Sequence, residues 1–175
     1  PYGEVYTGVL CMHEGQMYGY TNGVYVTTEN ALLPGREIWG FGKKMAHNIS
    51  VKQLGTGEIE AKVEVHEGTT NVHCLMKPEV NQPASILEDM PLAVLKVIPG
   101  VDGQSPDVLQ LNSVLFKGVP HKGADGKDEL YTGSATLEVD NVSDVSLPVI
   151  QVVDAKYMRM TADLPYGETI KDYLA

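Results

Sequence analysis

Residues Glu58-Ile59-Glu60-Ala61-Lys62-Val63-Glu64-Val65-His66 alternate between polar and apolar side chains without a break. Successive side chains of an extended backbone point to opposite faces. Ile59, Ala61, Val63 and Val65 therefore share one side, and the charged set faces water. The stretch predicts a half-buried β-strand. Glu67-Gly68 follows as a turn, and residues 69–76 read as the returning strand of a hairpin.

Working outward, the same period of two predicts strands over 5–12, 17–27, 92–98, 108–116, 135–139 and 149–161. Glycine-containing turn signals punctuate them at Glu14-Gly15, Asn22-Gly23, Gly55-Thr56-Gly57, residues 99–103 and residues 123–126. Helical signal is sparse. Residues 28–33 predict a short helix capped by Thr28, with Glu29 in its first turn and Pro34-Gly35 interrupting it. Residues 167–174 predict a second helix at the end. No internal repeat, low-complexity tract or linker divides the chain. The expectation is an α+β, mostly β fold: an antiparallel β-barrel or curved sheet with a few helices, one domain over residues 1–175.

Composition narrows the function. A chain of 175 residues with 43% hydrophobic and 21% charged residues has the balance of a soluble globular protein. Its net charge of −10 argues against nucleic acid and anionic membrane as partners. Any site for a carboxylate must then make its own local positive field. Cys11 and Cys74 have neither metal-ligand spacing nor the numbers of a disulfide framework, and read as buried free thiols. The most apolar stretch, residues 91–99, is short and contains Lys96, and no window resembles a signal peptide. This points to the cytoplasm. The first residue is Pro1, which implies processing, trimming or a place in a larger assembly.

The chemistry concentrates in Gly35-Arg36-Glu37-Ile38-Trp39-Gly40-Phe41-Gly42-Lys43-Lys44-Met45. Two lysines sit together in a stretch that is otherwise apolar and glycine-rich. A lysine is a nucleophile only when neutral, and at an ordinary pKa near ~10.4 only about one in 2,500 is neutral at pH 7. Burial and a neighbouring cation both favour the neutral form. Adjacent residues do not share a face on a helix or a strand, so if Lys43 enters a pocket, Lys44 points elsewhere. The generic alternative is a solvated charge pair at a helix end.

Gly-Arg-Glu, a few apolar residues and Gly-Phe-x-Lys-Lys resemble the active-site stretch of the acetoacetate decarboxylase family. Activation of the lysine by desolvation or by a cationic neighbour is the standard example in that family, and it arrives here with the resemblance. The likeness extends along nearly the whole chain, through Leu95-Lys96-Val97-Ile98-Pro99 and Leu164-Pro165 to Asp172-Tyr173-Leu174. It implies that Lys43 forms a Schiff base with a keto acid, with Lys44 as its cationic neighbour. Glu4, which lies 39 residues before Lys43, falls where the family has an active-site glutamate, fit to orient the lysine or shuttle a proton. Arg36 and Phe41 are the candidate substrate-binding residues; a guanidinium fork fits a carboxylate, while a structural bond is the plainer role for Arg36. Family members also carry an N-terminal segment, absent from these residues, that holds an active-site arginine and glutamate. A separate N-terminal chain completing the fold is one expectation, and a homo-oligomer is another.

The implied activity is cofactor-free decarboxylation of an acetoacetate-like β-keto acid. The alternatives are a Schiff-base aldolase or dehydratase acting on a pyruvate-like keto acid, and a non-catalytic, degenerate subunit. Gly42 departs from the family, which commonly has proline there; glycine loosens the approach to the lysine. His13, His47, His66, His73 and His121 lack metal-ligand spacing, and no phosphate-binding glycine loop follows a strand, so no metal or cofactor is expected.

Overall fold

The computed structural model describes residues 2–87, 89–140 and 148–175. The chain is mostly β, 58% strand and 8% helix, as its alternation predicts. The strands are β1 (Glu4–His13), β2 (Gln16–Val26), β3 (Lys43–Met45), β4 (Asn48–Gln53), β5 (Ile59–His66), β6 (Thr69–Asn81), β7 (Leu92–Pro99), β8 (Pro106–Val114), β9 (Lys117–Pro120), β10 (Leu130–Val139), β11 (Lys156–Met158), β12 (Met160–Asp163) and β13 (Glu168–Asp172). A short helix, α1 (Glu29–Pro34), runs directly into a π-helical turn, Gly35–Trp39. The chain forms two compact units. The first comprises Pro1–Met45, Asp89–Lys117 and Asp163–Ala175, and the second Ala46–Glu88 and Gly118–Ala162.

The first unit is built on one sheet, in the order β1-β2-β7-β8-β13, with β3 also pairing β2. Glu14 (φ 49°) and Gly15 (φ 84°) close the β1–β2 hairpin, the positive pair that a tight two-residue turn requires. β2 is the hub. It meets β1 antiparallel, and it meets β7 and β3 in parallel, with Gly19 opposite Leu92 and Val24 opposite Lys43. The core gathers Val24, Val26, Phe41, Val94 and Val114, with Ala31, Leu32, Trp39 and Leu92 packed against them. Burying each such aliphatic side chain is worth roughly 1.5–3 kcal/mol. The core thus ties α1 and the π turn to the face of β2 that carries Val24 and Val26.

The second unit carries an antiparallel sheet, β11-β10-β6-β5-β4. The predicted hairpin is its centre: Ile59 faces Met76 across β5 and β6, and Gly68 (φ 76°) turns the chain. Ile59, Val63, Met76 and Leu130 are buried. Asn71 is buried too and is satisfied at both ends: it accepts the Val65 N–H at 2.8 Å and donates to the Asp140 carbonyl at 3.2 Å.

Several expectations fail, each for a physical reason. Residues 167–174 do not form a helix; residues 168–172 are β13, paired antiparallel with β8. Gln110 donates to Asp172 at 2.9 Å and Thr169 to Asn112 at 3.0 Å. These cross-strand bonds win over a helix too short to repay its own nucleation. Of residues 149–161, only 156–158 and 160–161 join ladders. Asn22-Gly23 is not a turn but lies inside β2, where the register against β1 slips between Thr7 and Gly8 and Asn22 is the extra residue. Thr28 sits at the N-cap in extended backbone, yet its side chain makes no cap bond. Its carbonyl instead accepts the Ala31 and Leu32 N–H groups. The interruption expected at Pro34-Gly35 becomes a change of helix type.

Candidate active site

Strand register places the two central groups. Glu4 lies opposite Val26 on one flank of β2, and Lys43 lies opposite Val24 on the other. Paired residues share a face, and so do residues two apart in a strand. Glu4, Val24, Val26 and Lys43 therefore project from one face of the sheet. The flanking strands stand two interstrand spacings apart, about 9–10 Å, a gap that a lysine and a glutamate close together. The Lys43 Nζ is 3.1 Å from Glu4 Oε1 and 3.1 Å from Oε2. Only 3% of Lys43 is exposed, against 29% of the Glu4 side chain. Lys44, one residue on, is exposed, as alternation demands.

The π turn supports β3 from below. The Gly35 carbonyl accepts the Gly40 N–H at 3.1 Å and the Phe41 N–H at 3.0 Å. Gly40 adopts φ 90°, and a Cβ there would lie 2.6 Å from the Lys96 Cα, so only glycine passes. Arg36 Nη1 donates to the Lys43 carbonyl at 3.1 Å. The Phe41 ring centroid is 5.6 Å from the Lys43 Nζ, within cation–π range. The end of the turn is held three ways. Lys96 Nζ donates to the Ile38 carbonyl at 3.1 Å, Asn112 Nδ2 to the Trp39 carbonyl at 3.3 Å, and Trp39 Nε1 to the Pro165 carbonyl at 2.7 Å. Tyr166 stacks on Trp39, with centroids 6.1 Å apart. π-Helical turns are costly and concentrate where function needs them.

Glu4 also touches Tyr2: partial burial pushes the Tyr2 phenol up, and the charge and hydrogen bond of Glu4 push it further. Arg36 and Phe41 line a groove of about 320 Å³ whose other wall includes Leu95, Val97 and Ile98. Lys43 does not line it. The structure thus brings Glu4, Phe41 and the Arg36 guanidinium to Lys43 and turns Lys44 outward. Sequence reasoning missed Tyr2, Asn112 and Lys96, because each acts through the folded neighbourhood and none belongs to the lysine motif. Among the described residues, no three His, Cys, Asp or Glu side chains are grouped to hold a metal, and no helix is long and apolar enough to cross a membrane.

A buried lysine paired with a half-buried carboxylate, in a mostly β chain, marks a lysine-centred site, and sequence comparison supplies the family. The acetoacetate decarboxylase (ADC) family matches residues 1–174, and the chain belongs to it. The acetoacetate decarboxylase of Burkholderia cenocepacia (strain HI2424) is 34% identical over 172 residues, which cover 93% of this chain and 65% of that protein. The chain thus spans about two thirds of the length of such relatives. The crystal structure of acetoacetate decarboxylase from Legionella pneumophila subsp. pneumophila str. Philadelphia 1 superposes with a TM-score of 0.80 at 25% identity, covering 99% of this chain and 68% of that one. The enduracididine biosynthesis enzyme MppR, complexed with pyruvate, shares the fold with a TM-score of 0.73 at 20% identity, covering 98% and 67%.

Proposed function

We propose that this chain carries the reactive lysine of a cofactor-free decarboxylase acting on an acetoacetate-like β-keto acid. The observation that carries this reading is Lys43, a residue 3% exposed whose amine lies 3.1 Å from both oxygens of Glu4. Glu4 takes the ammonium proton, and the neutral nitrogen adds to the keto carbon. The carbinolamine loses its hydroxyl as water, with that proton returned by Glu4, and leaves an iminium. The bond to the carboxylate carbon then breaks. CO₂ departs, and the bonding pair flows to the iminium nitrogen to give an enamine. Protonation at carbon and hydrolysis by water release the ketone and restore the amine. A dry surrounding favours neutral CO₂ over the substrate carboxylate. Arg36 and Phe41, on the groove, are the proposed substrate contacts.

A second reading retains the substrate carboxylate: aldol addition or dehydration of a pyruvate-like keto acid. Arg36 on the groove supplies the cation that such a reaction needs, and the pyruvate-bound MppR shares the fold. The reading also includes a homo-oligomer, since Tyr6, Leu10 and Met12 of the edge strand β1 are each more than half exposed.

The test is borohydride reduction in the presence of acetoacetate and, separately, pyruvate, followed by peptide mass spectrometry. A reduced adduct on Lys43 with acetoacetate supports the decarboxylase, and one with pyruvate alone supports the second reading. No adduct from either, on folded protein, moves the weight to a non-catalytic subunit.

A further inference from the structure

Gly35 occupies an ordinary right-handed helical conformation, φ −60° and ψ −40°. Any residue adopts that backbone, and alanine stabilises a helix better than glycine does. The reason for glycine must therefore lie outside its own dihedrals. A Cβ built at Gly35 would stand 2.5 Å from the Lys43 Cε, 2.6 Å from its Cδ and 3.1 Å from its Nζ. The three nearest atoms all belong to the end of the lysine side chain. Gly40 is different, since its positive φ and the Lys96 backbone both require glycine. So is Gly42, next to the lysine pair, with nothing within 4 Å of its Cβ position.

From this geometry we infer that Gly35 is a positioning residue for the Lys43 amine: its missing side chain is the slot in which the last carbons of the lysine lie. The inference rests on the reading of Lys43 as the reactive group. The slot is firmly placed. Two backbone N–H groups, of Gly40 and Phe41, bind the Gly35 carbonyl, and Gly35 is itself buried. On the far side, Glu4 holds the nitrogen at 3.1 Å. A methyl group at residue 35 leaves the backbone conformation allowed and displaces the lysine end. It takes the amine out of the position in which Glu4 holds it and off its line of attack. A misplacement of about 1 Å in a reacting group costs about a hundredfold in rate.

The experiment compares wild type, Gly35→Ala and, as a control, Gly55→Ala, which lies in an exposed turn of the second unit with open space around it. The readouts are the rate of borohydride trapping at Lys43 and, where turnover is present, kcat and KM separately across pH. Gly35→Ala is expected to fold, to slow trapping by about tenfold or more, and to lower kcat with little change in KM. Gly55→Ala is expected to match wild type. Trapping and kcat within twofold of wild type in Gly35→Ala would overturn the inference. A second measurement covers poor folding: urea midpoints for Gly35→Ala, Lys43→Ala and the double variant. If the added methyl lowers the midpoint with Lys43 present and not with Lys43→Ala, the slot is confirmed. Equal effects in both backgrounds overturn it. Absence of any wild-type adduct would sink the functional reading alone, and the urea cycle would still decide the slot.

Discussion

Glu4 and Lys43 reach each other across the full width of strand β2, one from each flank, and meet at 3.1 Å. Neither could be moved by one residue and keep the contact, because a one-residue slip sends a side chain to the opposite face. The hairpin register of β1 and the parallel register of β3 are therefore both set by β2.

Glu4→Gln leaves the Lys43 nitrogen with a neutral partner. Breaking a fully buried pair costs about 3–5 kcal/mol, but Glu4 is partly exposed and water makes up some of the loss. A fall of about 1–2 kcal/mol in urea stability is expected. On the proposed mechanism, turnover falls by about 10²–10⁴ as the proton shuttle is lost. Unchanged turnover in folded Glu4→Gln would remove Glu4 from the chemistry.

Lys44 is exposed, on the face opposite Lys43. Across a water-like dielectric its charge is worth roughly 1 kcal/mol or less at the Lys43 amine. Lys44→Gln should slow trapping by less than about tenfold, whereas Lys43→Arg should abolish it. Comparable losses in the two variants would show that the lysines act as a unit.

Gly40 and Gly57 share a positive φ, 90° and 88°, and differ in what surrounds them. At Gly57 a Cβ meets nothing, and Gly57→Ala should cost only the left-handed strain, about 1–2 kcal/mol. At Gly40 it meets Lys96 backbone, so Gly40→Ala should cost about 1–3 kcal/mol more, as overpacking does. Denaturant midpoints check the order, and equal costs would mean that the π turn shifts freely.

Asp128 gives a pH dependence. A hydrogen bond from Lys122, at 2.7 Å, and the Ala84 N–H, at 2.9 Å, hold its carboxyl below the ordinary carboxylate range. An acid whose folded value lies below its unfolded value of about 3.9 stabilises the protein fully above that pH. The contribution disappears as pH falls through the folded value. The difference in stability between wild type and Asp128→Asn should therefore be constant from pH 7 to about 5 and shrink below about 4. A gap that does not begin to shrink below about pH 4 would assign the effect to something other than charge.

What the sequence disclosed follows a physical division. The hairpin of residues 59–66 and 69–76 was legible because alternation and Gly68 are local signals, and the opposed orientations of Lys43 and Lys44 follow from pleating alone. The lysine motif was legible through resemblance. β13 was not, because Thr169 and Asp172 find their partners, Asn112 and Gln110, some sixty residues away. β3 was hidden for a similar reason: Lys43–Met45 becomes a strand only because Val24 and its neighbours offer an open edge. The Trp39 contacts to Asn112 and Pro165 lie equally beyond any window of the chain.

β3 is three residues long and, among the described residues, pairs with β2 alone. A strand so short and held on one flank detaches at a free energy well below that of global unfolding. The amine is then shielded only as well as that strand is latched, by the Arg36 bond to the Lys43 carbonyl and by Glu4. Amide exchange at residues 43–45 should be among the fastest in the first unit's sheet. Bulky amine reagents would reach Lys43 at the frequency of that unlatching, so their rate of labelling would serve as a clock for the strand and not as a measure of how nucleophilic the lysine is.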